Sequence, residues 1–308
     1  MQRIAVFYNS EASRAGKGIW IETIKKILFR SELSFIAIQN PDQIQTEVAN
    51  AIKNNVEIII SIGGDGTVNL LIQALINTDI HYLVIPAGTA NDLARELGLN
   101  RKIDKSIELI RKNQWKKIDL IKVNDRVMAT NGGIGLGALL TDEINQLRKK
   151  YPRFKMVMRL LKNKTYDLFL ALNILRPNLK FHDVRLKYNG LDEVYTTAML
   201  VILNQEKIAG KIKVVEGSTN DDGIFDVVVF AHKNKASLSR CIAQVVLGKI
   251  PKNDPHFVTF QTRSLKIESI NGEVLPFWGD GEVFEPKHTY EIEILPQVLK
   301  VYHMGKRK

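Results

Sequence analysis

The chain has a single cysteine, Cys241, among its 308 residues. One thiol makes no internal bridge, so a disulfide scaffold is excluded, and a lone cysteine is more often a small buried hydrophobe than a nucleophile. No hydrophobic run approaches the ~20 residues that a membrane-spanning helix needs. The opening MQRIAVFYNS passes from one arginine into a short strand-like run. It lacks the longer apolar core and small-residue cleavage site of a signal peptide, so none is expected and a reducing, cytoplasmic location is. Internal repeats and low-complexity stretches are missing as well. With 45% hydrophobic and 25% charged residues, the composition excludes a disordered chain. Acidic residues are in deficit, 33 Asp and Glu against 44 Lys and Arg, for a net charge of +11. That excess points to an anionic partner and leaves nucleic acid, acidic lipid and phosphate-rich substrates open.

The length suits two domains, since one core typically serves ~100–200 residues. RIAVFY (Arg3 to Tyr8), SFIAI (Ser34 to Ile38), EIIISIGG (Glu57 to Gly64) and HYLVIPAG (His81 to Gly88) read as strands. Between them Trp20, Ile24, Ile27 and Leu28, then Ile44, Val48, Ala49 and Ile52, recur at helical spacing, and VNLLIQALI (Val68 to Ile76) is a further helix. Strands separated by helices of this length imply a parallel, doubly wound α/β sheet. After IDLIKV (Ile118 to Val123) the rhythm changes to β-rich runs punctuated by Asn189-Gly190, Asp222-Gly223 and Asn271-Gly272. The expected fold is therefore α/β, with an N-terminal doubly wound nucleotide-binding domain over 1–124 and a C-terminal β-rich sandwich domain over 125–294. A helical insert is expected at 141–176, and 295–308 is expected to return to the first domain. Within the insert, Arg148 to Lys164 interleaves basic residues with Tyr151, Phe154, Met156, Met158 and Leu160 and has no acidic residue. Such a segment can lie at an anionic membrane surface; an ordinary helix with one core face and one solvated face fits it equally well.

The strongest chemical signal is GGDGT (Gly63 to Thr67), where an apolar strand turns into a helix. Ligands of open α/β sheets bind at the carboxyl ends of strands, which is where this loop falls. Glycines let the backbone approach phosphate oxygens, and the helix behind them presents free N–H groups and the positive end of its dipole. A carboxylate beside phosphates, here Asp65, requires a cation between them, and Mg²⁺ is the expected one. Thr67 can donate its hydroxyl to a phosphate or cap the helix. PAGTANDLAR (Pro86 to Arg95) repeats the logic after the next strand, with Gly88 and Thr89 at a turn, Asn91 and Asp92 just after, and Arg95 on a helix. Two phosphate-type loops at adjacent strand ends together indicate a nucleotide cleft. Read locally, GGDGT is also a plain tight turn, Asp92 a helix N-cap and Asp119 a turn residue.

In these residues the chain resembles the diacylglycerol kinase catalytic-domain family, including its bacterial soluble lipid kinases. GGDGT is shared with NAD kinases and, more loosely, with phosphofructokinases, while PAGTANDLAR is similar to the lipid-kinase pattern of Pro, any residue, Gly-Thr, any residue, Asn-Asp. IDL at Ile118, NGGIGLGA at Asn131, NDDGIFDV at Asn220 and DGE at Asp280 follow in the same order, so the similarity runs from Ile4 to about Tyr302. The first loop, NSEASRAGKG (Asn9 to Gly18), keeps the family's Asn but not the Pro after it. Leu70 stands where many members carry Glu, and Thr165 where a Gly is usual.

The resemblance implies roles for residues. Asn9, Gly63, Gly64, Asp65, Gly66, Thr67, Val68, Asn69, Gly88, Thr89 and Asn91 would bind ATP, and Asp65, Asp92 and Asp119 would form a carboxylate–water–Mg²⁺ network. Asp280 and Glu282 match the family's DGE, whose Asp is taken as the general base; the same tripeptide also occurs in hairpin turns. Asp222 by its side chain, with Thr219 and Ile224 through their carbonyls, matches a separate metal site that steadies the second domain, and an Asp-Gly turn is the local alternative. The implied activity is transfer of the γ-phosphoryl group of ATP, with Mg²⁺, to the hydroxyl of a diacylglycerol-like lipid. The implied partners are that lipid and, transiently, an anionic membrane surface. Nucleic acid is not expected, since no motif for it occurs and the basic residues are widely spread. A homodimer is left open. Two other readings stand beside this one: an NAD kinase-like enzyme, against which the Asn-Asp after PAGT counts, and a non-catalytic nucleotide or membrane sensor, against which the retained carboxylates count.

Overall fold

A computed structural model describes residues 1–9, 17–88, 90–100, 102–151, 164–209 and 211–305. The elements run β1 (Arg3–Asn9), α1 (Lys17–Ile27), β2 (Glu32–Ile38), α2 (Gln43–Lys53), β3 (Ile58–Gly63), α3 (Asp65–Leu75), β4 (His81–Pro86), α4 (Asp92–Glu96), α5 (Ile103–Arg111) and β5 (Trp115–Val123). They continue as β6 (Arg126–Met128), β7 (Asn131–Gly135), α6 (Leu136–Lys150), α7 (Lys164–Leu175), β8 (His182–Tyr188), β9 (Leu191–Thr197), β10 (Met199–Leu203), β11 (Lys207–Ile208), β12 (Ile212–Lys213) and β13 (Phe225–Phe230). The last are α8 (Lys235–Val246), β14 (Phe257–Thr262), β15 (Ser264–Ser269), β16 (Phe277–Gly279), β17 (Glu282–Val283) and β18 (Thr289–Tyr302). Packing divides the chain into one unit of Met1–Asp119 with Gln297–Lys308 and a second of Leu120–Pro296.

In the first unit the strands are parallel in the order β2-β1-β3-β4, and the C-terminal end of β18 joins beside β4, with Lys300 and Val301 opposite His81 and Tyr82. Every residue of β3 is buried, which explains its uninterrupted IIISIG: a strand with neighbours on both edges and cover on both faces has no polar side to show. The one hydroxyl there, Ser61, pairs with Tyr82 across to β4 at 2.7 Å, so neither is left unsatisfied. Helix α3 buries Val68, Leu71, Ile72 and Leu75, the i, i+3, i+4, i+7 stripe of a core-facing helix. Each such Leu or Ile contributes about 1.5–3 kcal/mol relative to exposure. Helix α2 buries Ile44, Val48 and Ala51. The expected stripe through Ala49 and Ile52 is thus corrected, for both are exposed. Ala51, a small residue, takes the inward position one turn after Val48.

The second unit is a sandwich of antiparallel sheets. One has the order β14-β13-β10-β7-β16-β17. In the other, the N-terminal part of β18 pairs β15, which pairs β8, which pairs β9. Val227, Val229, Leu200, Ile202 and Phe277 from the first meet Leu186, Ile267 and Ile292 from the second in one core. The alternate residues Val228, Phe230, Val201 and Leu203 point to the other face, where Leu136 of α6 and Leu238, Cys241, Ile242 and Val245 of α8 cover them. Strand β10 and, apart from Asp226, strand β13 are therefore apolar because both faces are buried. Helix α8 interrupts what the sequence reads as a β-rich run; its own stripe, Leu238, Cys241, Ile242 and Val245, has helical spacing. Burial pushes the Cys241 thiol up to about 12, so it is no nucleophile near neutrality.

Candidate active site

Strand β3 ends at Gly63 and α3 begins at Asp65, so GGDGT lies at the carboxyl end of a central strand. The N-cap is Gly64, which has no side chain to satisfy the first-turn N–H groups of α3. A Cβ on Gly63 would stand 2.6 Å from Thr67, so that position excludes any side chain. The loop after β4 lies directly against this one. A Cβ on Gly88 would fall 2.6 Å from Cα of Gly64, and one on Gly64 would fall 3.1 Å from Cα of Gly88. The two glycine loops therefore touch backbone to backbone, a contact that even alanine would prise apart.

Asp65 holds the contact together. Its Oδ2 accepts the N–H of Asn91 at 2.9 Å and its Oδ1 the N–H of Asp92 at 2.8 Å, so it caps α4 from the neighbouring loop. Asn91 stands in the left-handed region at φ 53°, and its Oδ1 accepts the N–H of Gly88 at 2.9 Å. Each oxygen of Asp65 keeps a further lone pair for a water or a cation. The sequence foresees Asp65 beside phosphates but gives no sign of this brace. Thr67, Val68 and Asn69 are buried on α3, and Asp92 opens α4 half-buried. Asn9 ends β1, Gly66 lies in the first turn of α3, and Thr89 is outside the described residues.

Asp119 is wholly buried on β5, and its Oδ1 accepts the N–H of Gln297 at 2.7 Å, where β18 passes through φ 53°. Asp65, Asp92 and Asp119 do not bring three carboxylate oxygens within 4.8 Å of one another, so one ion does not meet all three directly; the carboxylate–water arrangement does not require it to.

In the second unit, Asp280 and Gly281 form the two-residue turn between β16 and β17, with Gly279 opposite Glu282. Both turn residues have positive φ, 50° and 80°, as in a type I′ hairpin. The turn and the candidate base are the same residue. The Asp280 carboxylate accepts three hydrogen bonds, from Ala129 N–H at 2.8 Å, Thr130 N–H at 2.9 Å and Thr130 Oγ1 at 2.6 Å. Its own N–H donates to the carbonyl of Asn131 at 2.9 Å, and Asn204 donates to the carbonyl of Ala129 at 3.0 Å. The conformation of Asp280, disfavoured for a residue with a Cβ by roughly 1–2 kcal/mol, is thus fixed from both sides of its peptide unit. Glu282 is half-exposed on β17. Sequence reasoning missed Thr130; its one signal is its place immediately before NGGIGLGA.

Asp222 is exposed and accepts from Thr219 Oγ1 at 3.0 Å and from Ile224 N–H at 3.2 Å, with Gly223 at φ 75° between them. The three residues are brought together as a closed turn, but the strands flanking it do not pair with each other, so it is not a hairpin. Of the basic segment Arg148 to Lys164, residues 152–163 lie outside the described residues. Arg148, Lys149 and Lys150 form the last turn of α6, followed by an exposed Tyr151. Among the described residues no helix is long and apolar enough to cross a membrane.

Paired glycine loops on a parallel α/β unit, joined in one chain to an antiparallel sandwich, define a two-domain protein with a Rossmann-like α/β domain and a β-rich second domain. Residues 3–123 match the family model of the diacylglycerol kinase catalytic domain, and residues 155–303 match that of the YegS C-terminal NAD kinase beta sandwich-like domain. By these two matches the chain resembles, in order, a diacylglycerol kinase catalytic domain and a YegS-type C-terminal domain. It is 27% identical over 261 residues to a diacylglycerol kinase of Mycobacterium tuberculosis, covering 82% of this chain and 79% of that one. With a diacylglycerol kinase of Staphylococcus saprophyticus it shares 25% over 320 residues, covering 96% and 99%. A solved structure of a diacylglycerol kinase from Bacillus anthracis superposes with a TM-score of 0.73 at 18% identity over 98% of this chain and 97% of that one, which establishes the likeness of fold.

Proposed function

We propose that the protein is an ATP-dependent kinase that phosphorylates the hydroxyl of a diacylglycerol-like lipid. The observation that carries this is the backbone contact of Gly64 with Gly88, which sets two glycine loops side by side at the ends of β3 and β4 in a chain that resembles this family. In this reading Gly63 to Asn69, Gly88, Thr89, Asn91 and Asn9 bind the nucleotide. The first-turn N–H groups of α3 and the hydroxyl of Thr67 face the phosphates, where uncapped donors and the helix dipole favour an anion. Asp65, Asp92 and Asp119 are hard oxygen ligands of the kind Mg²⁺ takes, largely through its waters. Bound there, the ion would supply charge neutralisation at the phosphate oxygens. Asp65 has a second task, to keep the loops in contact while phosphates load them. Asp280 accepts the proton of the lipid hydroxyl as it attacks, with Thr130 and the Ala129 N–H aiming its carboxylate and Glu282 beside it. Phosphoryl transfer needs alignment and charge neutralisation more than covalent help, and this inventory supplies both. Thr219, Asp222 and Ile224 are the proposed accessory metal site of the second unit.

The test is transfer of labelled γ-phosphate from ATP to a panel of diacylglycerol, phosphatidylglycerol, a sphingoid base, an undecaprenyl-type alcohol and NAD⁺. Label in a lipid and none in NAD⁺ is expected. Label in NAD⁺ alone would move the chain to the NAD kinase-like reading, and label in nothing to the sensor.

A further inference from the structure

The second unit gathers ligating side chains in a place that the kinase reading does not use. His232 follows β13, Cys241 lies on α8, and Asp254 lies in the connection from α8 to β14. One ligand atom from each, an imidazole nitrogen, a thiol sulfur and a carboxylate oxygen, falls within 4.8 Å of the others. His232 and Cys241 are each only 1% exposed. Both ring nitrogens of His232 are buried without a hydrogen-bond partner among the described residues. The nearest carboxylate oxygen, Oδ2 of Asp254, stands 3.7 Å from Nε2, beyond hydrogen-bond reach. Native interiors rarely leave a buried polar atom unpaired, and here a whole imidazole is unpaired while facing a thiol and a carboxylate. Asp254 is meanwhile held in place: its Oδ1 accepts the N–H of His256 at 2.9 Å, and its N–H donates to the carbonyl of Pro251 at 3.0 Å.

We propose that His232, Cys241 and Asp254 bind one zinc ion. Nitrogen, sulfur and oxygen donors from three side chains are the set that zinc takes in tetrahedral sites, and a sulfur ligand argues against Mg²⁺ and Ca²⁺. The fourth corner falls to a water or to His256, whose ring centroid is 5.5 Å from that of His232. Cys241 is protonated in the metal-free chain and gives up its proton on coordination, as a thiol does on zinc. The ion would tie three stretches that meet nowhere else in sequence, the end of β13, the middle of α8 and the loop into β14. Its role is a staple that holds α8 on the sheet.

Cobalt(II) gives a direct readout, because a thiolate bound to it absorbs in the near ultraviolet and Cys241 is the single cysteine. The full chain, stripped with chelator, is titrated with Co²⁺ and then with Zn²⁺. The expected result is one equivalent of Co²⁺ with a thiolate band, displacement by Zn²⁺ but not by excess Mg²⁺, and a melting temperature raised by Zn²⁺. Cys241→Ser should lose the band, and His232→Gln and Asp254→Asn should weaken Zn²⁺ binding by about tenfold or more. A folded wild-type chain with no thiolate band would overturn the proposal, as would a band of unchanged affinity in His232→Gln and Asp254→Asn. Should a variant fail to fold, the wild-type band decides alone. None of these readouts depends on kinase activity, so the zinc site and the kinase reading stand or fall separately.

Discussion

At the scale of single residues, Asp280 is where turn geometry and proposed chemistry coincide. Asp280→Asn keeps size and most hydrogen bonds but removes the proton acceptor, so turnover should fall by ~10²–10⁴ with ATP affinity little changed. Near wild-type turnover would relegate Asp280 to the hairpin. Thr130 should act by positioning. Thr130→Val deletes the hydroxyl at 2.6 Å from the carboxylate, a bond to a charged group worth about 1.5–3 kcal/mol. It should lower kcat while leaving the KM for ATP unchanged, and Thr130→Ser should restore it; a failure of Ser to rescue would argue against the hydroxyl bond. DGE was legible as a tripeptide that suits both a turn and a base. Its three donors were not, because Ala129 and Thr130 are some 150 positions away and two of the three are backbone N–H groups that no residue type announces.

At the scale of elements, the contact between two loops is the feature most open to perturbation. Gly88→Ala would place a Cβ 2.6 Å from Cα of Gly64 and 2.9 Å from Oδ1 of Asn91. Neither neighbour can yield freely, so destabilisation by ~1–3 kcal/mol and loss of nucleotide affinity are expected, measured by denaturant unfolding and by titration with ATP. Unchanged affinity in that variant would separate the loop contact from the nucleotide. Asp65→Asn replaces one acceptor oxygen with an amide NH₂, a donor that opposes an N–H. Amide exchange at Asn91 and Asp92 should then quicken by about tenfold or more, since an unmet buried hydrogen bond costs about 1–3 kcal/mol. Protection equal to wild type would show that Asp65 does not hold α4. The strands and the strand-to-helix position of GGDGT were readable because β-branched runs and glycines signal them locally. The phase of α2 was not, because Ala51 is as easily outside as inside, and α8 was overlooked because its stripe sits among runs that read as strands.

At the scale of the molecule, the +11 charge calls for an anionic counterpart, and an anionic membrane surface carrying the proposed lipid would supply one. Binding to vesicles should rise with their anionic fraction and weaken with salt, since charges farther apart than ~8 Å are screened at physiological ionic strength. Replacing Lys149, Lys150, Arg153 and Lys155 with Gln should reduce that binding and spare turnover on detergent-dispersed lipid. Equal binding would assign the charge to another surface. The two-unit, α/β-then-β order was legible because strands buried on both faces, such as IIISIG and FDVVVF, and turn-punctuated runs report their environment in composition. Which lipid is taken up was not, because phosphate binding leaves a loop signature and an acyl chain asks only for apolar surface. The most direct test of phosphoryl transfer to lipid is the rate at which label from γ-phosphate enters the organic phase from ATP and diacylglycerol-containing vesicles. The prediction is Mg²⁺-dependent label with wild type and ~10²–10⁴-fold less with Asp280→Asn; folded, nucleotide-binding wild type that leaves every lipid unlabelled would contradict it.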